Sequence, residues 1–285
     1  MKCTVRKTLI VLLSLLTAFI IYSLWADKAL TEREFTIKSD RIPASFDGFR
    51  IVHVSDLHNT TFGKENEKLL NMIEDAQPDI IAVTGDIVDS RRTDMSVALS
   101  FLEKALKIAP VYYVTGNHEF RTGQYEALIG DIRALGVTVF ENESTVLSKE
   151  NDAIILCGVN DPYFSSDYPL GDETPVMTRF LQELERSDSF TVLLSHRPEF
   201  FNLYAEHGFD LVLSGHAHGG QFRLPFIGGF IAPGQGLFPE FDSGLYEKDG
   251  TAMIVSRGLG NSIIPLRLFN RPEIITVILE TNQTR

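Results

Sequence analysis

Asp56 and His58 stand one residue apart in Asp56-Leu57-His58. Side chains two positions apart in an extended segment point the same way, so this pair can reach one cation. Alone it is a common pattern that a satisfied surface pair explains. Gly85-Asp86 reads first as a turn and a helix cap, the glycine freeing the backbone and the aspartate accepting from the next helix. Asp89 nearby reads as a cap or a solvated carboxylate. Gly116-Asn117-His118-Glu119 says more. An asparagine amide oxygen suits a hard cation, His118 can give a proton or a hydrogen bond, and a turn with a cap leaves the His-Glu pair unexplained. His196 alone is an ordinary core or surface histidine. His216-Ala217-His218 sets two imidazoles one residue apart, which suits chelation. Five of the seven histidines fall in these clusters, while His53, inside a strand, and His207, near a helix end, read as structural.

Taken together, the clusters offer Asp56, Asp86, Asn117, His58, His196, His216 and His218 as ligands, with His118 left over. A mixed oxygen and nitrogen set suits Mn, Fe or Zn better than Ca. Seven donors are too many for one tetrahedral site and fit two metals sharing a bridging carboxylate. The elements that must position them are strand-like runs at Arg50–Ser55, Ile80–Thr84, Val111–Thr115, Thr191–Ser195 and Leu211–Ser214, each ending in one cluster. Amphipathic stretches lie between them at Asn66–Ala76, Met95–Ile108, Tyr125–Leu135 and Thr178–Leu184. Further strands are expected at Ala153–Val159, Ala252–Ser256 and Ile274–Leu279. Alternating strands and helices specify an α/β fold, whose ligands collect at the carboxyl ends of the strands.

In this order the five motifs resemble the calcineurin-like metallophosphoesterase superfamily, over residues 50 to 220. The resemblance implies a four-layer αββα sandwich with the motifs on loops at one end. It implies that Asp56, His58 and His218 hold one metal, that Asn117, His196 and His216 hold the other, and that Asp86 bridges them. His118 is implied as general acid or as hydrogen-bond donor to the transition state. The implied reaction is phosphoester hydrolysis by a bridging hydroxide on a dinuclear centre. A non-catalytic metal-binding scaffold is the rival reading, and such a protein is expected to lose ligands, whereas every ligand position here is filled.

Thr8 to Ala26 carries no charge and is long enough to cross a bilayer, with Lys2, Arg6 and Lys7 before it and Tyr22 and Trp25 near its end. A cleaved signal has a shorter apolar core and a small-x-small site, and Leu24 breaks that site before Ala26. The expected organisation is a basic tail (1–7), a single transmembrane anchor (8–26), a linker with an edge strand around Glu34–Lys38 (27–48), and the phosphoesterase domain (49–285). The basic tail places the N-terminus in the cytoplasm and the domain outside it, although Lys28, Arg33, Lys38 and Arg41 weaken that asymmetry. With Gly219-Gly220-Gln221, Arg223-Leu224-Pro225-Phe226, Ser256-Arg257-Gly258-Leu259-Gly260 and the run from Pro265 to Glu273, the anchor resembles the membrane-associated bacterial branch of the superfamily. That branch holds phosphodiesterases and hydrolases of UDP-2,3-diacylglucosamine. Some of its members carry a twin-arginine export signal, where this sequence has only Arg6-Lys7.

A phosphodiester or pyrophosphate of a membrane or cell-envelope molecule, lipid-linked or not, is the expected substrate. The formal net charge of -12 and the lack of a basic face argue against nucleic acid. Of the two cysteines, Cys157 lies in an apolar run and reads as a core residue, and no disulfide framework is implied. The segment from Phe222 to Phe241 is apolar for a loop. It reads either as a covered loop on the sheet or as a surface for acyl chains or a membrane. Arg267 and Arg271 are candidates for a substrate phosphate, or for structural salt bridges.

Overall fold

Along Phe49–Val54, Ile51 packs to one side while Val52 and Val54 pack to the other, and both faces are buried. The same period of two divides Ile80 and Ala82 from Ile81 and Val83, and Leu211 and Leu213 from Val212. Strands apolar on both faces belong inside a layered α/β molecule. The computed structural model describes residues 2–92, 94–164, 173–184, 188–224, 226–261 and 266–282, with backbone alone for 2–5. Pro225 and Pro265 lie outside the described residues.

Two mixed six-stranded sheets form the frame. The first runs Thr31–Ser39, Glu273–Thr281, Phe49–Val54, Ile80–Thr84, Val111–Val114, Thr138–Val139. The second runs Gly244–Lys248, Thr251–Val255, Leu211–Ser214, Thr191–Leu194, Asp152–Gly158, Glu143–Lys149. One hydrophobic cluster joins residues of both sheets, Ile51 and Ala82 with Leu194 and Leu213. A second joins the first sheet to helices Glu67–Asp75, Ser96–Ala105 and Tyr125–Ala134 through Leu69, Phe101 and Ile129. A third joins the second sheet to Thr174–Glu183 and Phe201–Glu206 through Met177, Leu181 and Tyr204. Phe49–Val54, Ile80–Thr84 and Val111–Val114 run parallel, as do Thr191–Leu194 and Leu211–Ser214, so three carboxyl ends of one sheet and two of the other can meet.

The five motif-bearing strands lie within one residue of their expected bounds. Three edge strands, Thr138–Val139, Glu143–Lys149 and Gly244–Lys248, were not anticipated; the first is two residues long, and the other two are polar with few buried residues, so no apolar run marks them. The helix expected from Thr178 begins at Thr174, where Pro175 suits its first turn. Cys157 is buried, as its apolar run suggests.

The N-terminal helix covers Lys2–Ala26, and its Arg6–Ala26 portion has a mean hydropathy of 2.4 with side chains mostly exposed. The residues following its end are tied to the domain. Asp27 Oδ1 accepts the Arg267 backbone N–H at 2.9 Å, and the expected edge strand, Thr31–Ser39, pairs in parallel with Glu273–Thr281. Arg267 and Arg271, read as candidates for a phosphate or for structural salt bridges, are both engaged within the fold. The buried Arg267 guanidinium donates to Asn261 Oδ1 and to the carbonyls of Arg257 and Gly260. Arg271 donates to the carbonyls of Ala29 and Leu30 and stacks over Trp25. Each guanidinium fastens the chain to itself. The covered-loop reading of the Phe222–Phe241 segment fails for its outward residues: Phe241 and Ala232 are buried, but Phe226, Ile227, Leu237 and Phe238 face solvent.

Gly85 sits at φ +83°, where a Cβ would overlap the backbone of Gly116. Gly85→Ala is therefore expected to lower the thermal midpoint of the detergent-solubilised chain by roughly 5 °C or more. An unchanged midpoint would contradict this packing of the two loops.

Candidate metal centre

Each strand end delivers its side chains through a bent backbone. Asp56, His58, Asp86, His216 and His218, five of the seven candidate ligands, have φ between 46° and 65°. Left-handed backbone is uncommon for residues other than glycine and costs on the order of 1 kcal/mol each, so its concentration here marks a site the surrounding structure enforces. Crossed hydrogen bonds do the enforcing. Asp56 N–H donates to Gly85 O and His58 N–H to Asp86 O, which laces the first two loops together. His216 N–H donates to the Asp56 carboxylate, joining the two sheets. Gly215 must lack a side chain, because a Cβ there would overlap Ser55 Oγ.

All seven expected ligands are buried, and six of them, with His118, fall in groups whose donor atoms lie within 4.8 Å of one another; Asn117 sits next to His118 in the third loop. Asp56, His58 and His218 form one cluster, and Asp86, His196 and His216 a second. Within the first, His58 Nε2 lies 3.2 Å from His218 Nε2 and His218 Nε2 lies 3.4 Å from Asp56 Oδ1. Within the second, His196 Nε2 lies 3.0 Å from His216 Nδ1. Asp86 stands between them: its Oδ2 is 3.6 Å from His58 Nε2 and 3.3 Å from His196 Nε2. Its Oδ1 accepts the His118 backbone N–H at 2.8 Å, so one oxygen is held while the other faces both clusters. His196 Nδ1–H donates to Thr84 O at 2.7 Å, which directs Nε2 inward.

The donor set fits divalent cations. Among the described residues, Asn117 Oδ1 is buried with no hydrogen-bond partner, and a buried acceptor left so is costly. Burial and the nearby Asp86 charge push Asp56 up to about 6, with His196 opposing. Burial also acts on Asp86, but the imidazoles of His196, His118 and His58 outweigh it and hold its carboxyl well below the usual range. Burial drives His58 down to about 3. His196 resists its own burial because Asp86 and Asp56 raise it to about 10. The buried carboxylates thus demand positive charge where the clusters meet; His196 carries it beside Asp86 here, and a coordinated cation would supply it there.

Several residues act here that the motifs alone did not mark. Glu119 is fully buried, and its carboxylate accepts the backbone N–H groups of Gly116, Asp86 and Ile87 at 2.7–2.9 Å. Burial and Asp86 push it up to about 7. The signal for it was present, since an acid three residues after Gly116 is the far end of a capping box. Asp89 corrects the solvated-carboxylate reading: it is buried, accepts the Arg91 backbone N–H and guanidinium, and lies 3.7 Å from His118 Nδ1. The Ser90 backbone N–H donates to that same Nδ1 at 3.1 Å. Arg197 is buried beside the second cluster, paired to both oxygens of Asp161, with Nη1 3.2 Å from His216 Nε2 and 3.3 Å from Glu199. His53 bonds Thr84 Oγ1 and His207 bonds Leu203 O, both away from the site.

Known proteins resemble this chain in sequence. The metallophosphoesterase YkuE of Bacillus subtilis (strain 168) is 33% identical over 256 residues, covering 87% of this chain and 85% of that one. The transmembrane protein with metallophosphoesterase domain of Bos taurus is 30% identical, covering 84% of this chain and 55% of that one. Phosphodiesterase YaeI of Escherichia coli (strain K12) is 30% identical, covering 79% and 80%. Residues 49–220 match the calcineurin-like phosphoesterase family, a stretch that opens with the first motif strand and closes just after His218. With the buried Asp and His clusters meeting at its strand ends, the chain belongs to the calcineurin-like phosphoesterase family and is a metallophosphoesterase, a hydrolase of phosphoesters.

Proposed function

We propose that the chain hydrolyses a phosphodiester or pyrophosphate bond in a membrane or cell-envelope molecule, from a single-pass anchor in a bacterial membrane. The observation that carries the site assignment is Asp86 Oδ2, within 3.6 Å of an imidazole of each cluster. Asp56, His58 and His218 would hold one divalent ion and Asn117, His196 and His216 the other, with Asp86 placed to serve both. Such ions, of the Mn, Fe or Zn kind, polarise phosphoryl oxygens and acidify water. The chain's own residues do the rest. Thr84 O and Glu119 fix the ligand orientations, and His118 stands beside Asp86 to meet the leaving oxygen. A ring that accepts the Ser90 N–H at Nδ1 carries its one proton at Nε2, which favours the hydrogen-bond-donor role of His118 over proton donation. Burial, the largest influence on His118, also lowers its pKa and keeps it neutral.

The anchor and substrate readings have separate supports. The apolar helix is exposed along its length, as a span is and a core helix is not. The bovine relative is named for a transmembrane segment and the Escherichia coli relative as a phosphodiesterase. Lys2, Arg6 and Lys7 support an extracytoplasmic domain. The acidic balance supports substrates other than nucleic acid.

The direct test is hydrolysis of an aryl phosphodiester by the full chain in detergent with added Mn. His118→Ala is expected to lose roughly 10²- to 10⁴-fold in kcat, and Asp86→Asn to lose all turnover while remaining folded. Turnover retained by Asp86→Asn would sink the bridging assignment. Asp89→Asn is expected to lower kcat roughly 10- to 100-fold with metal content unchanged, through a displaced His118; an unchanged kcat would remove Asp89 from the account. In intact cells, added protease should digest the domain, and protection would reverse its placement.

A further inference from the structure

The apolar side chains left outside the cores are not scattered. Among the described residues after the N-terminal helix, eleven large apolar side chains are exposed, and eight of them are Phe269 or fall within 224–238. Phe226 is fully exposed, and Ile227, Leu237 and Phe238 are each about 60% exposed. Single exposed apolar residues are ordinary, whereas a contiguous group marks a contact surface. Backbone pairing holds these residues outward. Arg223–Leu224 pairs with Gly228–Gly229, Ile231–Ala232 pairs with Gly236–Leu237, and the Phe230 and Phe238 rings meet edge to face at 5.5 Å. The roots are polar and fixed: Asp242 accepts the Gly229 N–H and pairs with Arg223, and Gln235 bonds the Phe241 backbone twice.

Position identifies the occupant. Phe269 packs on Tyr22 of the N-terminal helix with centroids 5.6 Å apart, and Arg223 N–H donates to Leu268 O. The patch is therefore continuous with the last turns of that helix. Its other side is the metal loop, since Phe230 N–H donates to Gly220 O and Asn270 donates to His218 O. Residues 219–238 contain no acidic side chain and one arginine, in a chain of formal net charge -12. An apolar, acid-free surface beside a membrane helix suits a phospholipid headgroup layer and the acyl chains beneath it.

We propose that the paired hairpins of residues 223–238, with Phe269, dock into the interfacial layer of the bilayer that the N-terminal helix spans, holding the His216–His218 loop against the lipid headgroups. This rests on the anchor reading of Arg6–Ala26. Docking makes the domain a two-point attachment rather than a tethered body, and it exposes the metal centre to phosphoesters carried in the bilayer.

Trp25 is the one tryptophan in the sequence, so single reporters can be read separately in the full chain. Wild type reports the helix end, and Trp25→Phe/Phe238→Trp reports the patch. Both are reconstituted into phosphatidylcholine vesicles with acyl chains brominated near the headgroup. The expected result is that both reporters lose most of their emission to brominated lipid and that the patch reporter is shielded from aqueous iodide. Quenching of Trp25 alone, with the Phe238→Trp reporter open to iodide, would overturn the docking and leave the anchor standing. A patch reporter shielded from iodide yet unquenched by lipid would overturn it in favour of a second copy of the chain. Loss of quenching at both positions would reject the anchor itself, and the docking with it.

Discussion

A single carboxylate oxygen, Asp86 Oδ2, faces imidazoles from both sheets, and the rest of the site is built to hold it there. Burying Asp56 and Asp86 together is unfavourable unless positive charge lies between them. That demand explains why the imidazoles of His58, His196, His216 and His218 gather around the pair. It also explains why five ligands tolerate left-handed backbone. Each such residue opposes folding by on the order of 1 kcal/mol, and the three hydrophobic clusters of the layered frame offset it.

The frame matters for position as well as stability. Three parallel strands of one sheet and two of the other stop at the same end, so short loops from distant sequence positions reach one point. Glu119 then ties the second loop to the third through three backbone N–H groups, and His216 N–H ties the fifth to the first through Asp56. A further chain of contacts leads outward. His218 O accepts from Asn270, whose neighbour Phe269 touches Tyr22 and whose other neighbour Arg271 holds Ala29 and Leu30. The end of the apolar helix and the metal loop are thus parts of one packed unit, so the direction in which the helix leaves the domain fixes the direction the site faces.

The buried Asp and His clusters were legible because their chemistry is carried by residue type at the ends of apolar runs. Central strands were legible for the same reason: burial on both faces leaves an uninterrupted apolar signature. Edge strands Glu143–Lys149 and Gly244–Lys248 carry no such signature and were missed. Asp89 looked like a solvated cap because its burial comes from Arg91 and the His118 loop, neither of which its local sequence reveals. Arg267 and Arg271 read as phosphate or salt-bridge candidates because an arginine side chain suits either, and only the fold brings the carbonyls they bond within reach. The apolar segment after His218 was visible, but whether it turned inward or outward depended on backbone pairing within the loop.

The central claim is that two cations share Asp86, and diffraction at a metal absorption edge from crystals grown with Mn tests it most directly. The account predicts two anomalous peaks about 3.5–4 Å apart, one beside Asp56, His58 and His218, the other beside Asn117, His196 and His216, with the Asp86 carboxylate touching both. A single peak, or a pair that Asp86 does not join, would contradict it.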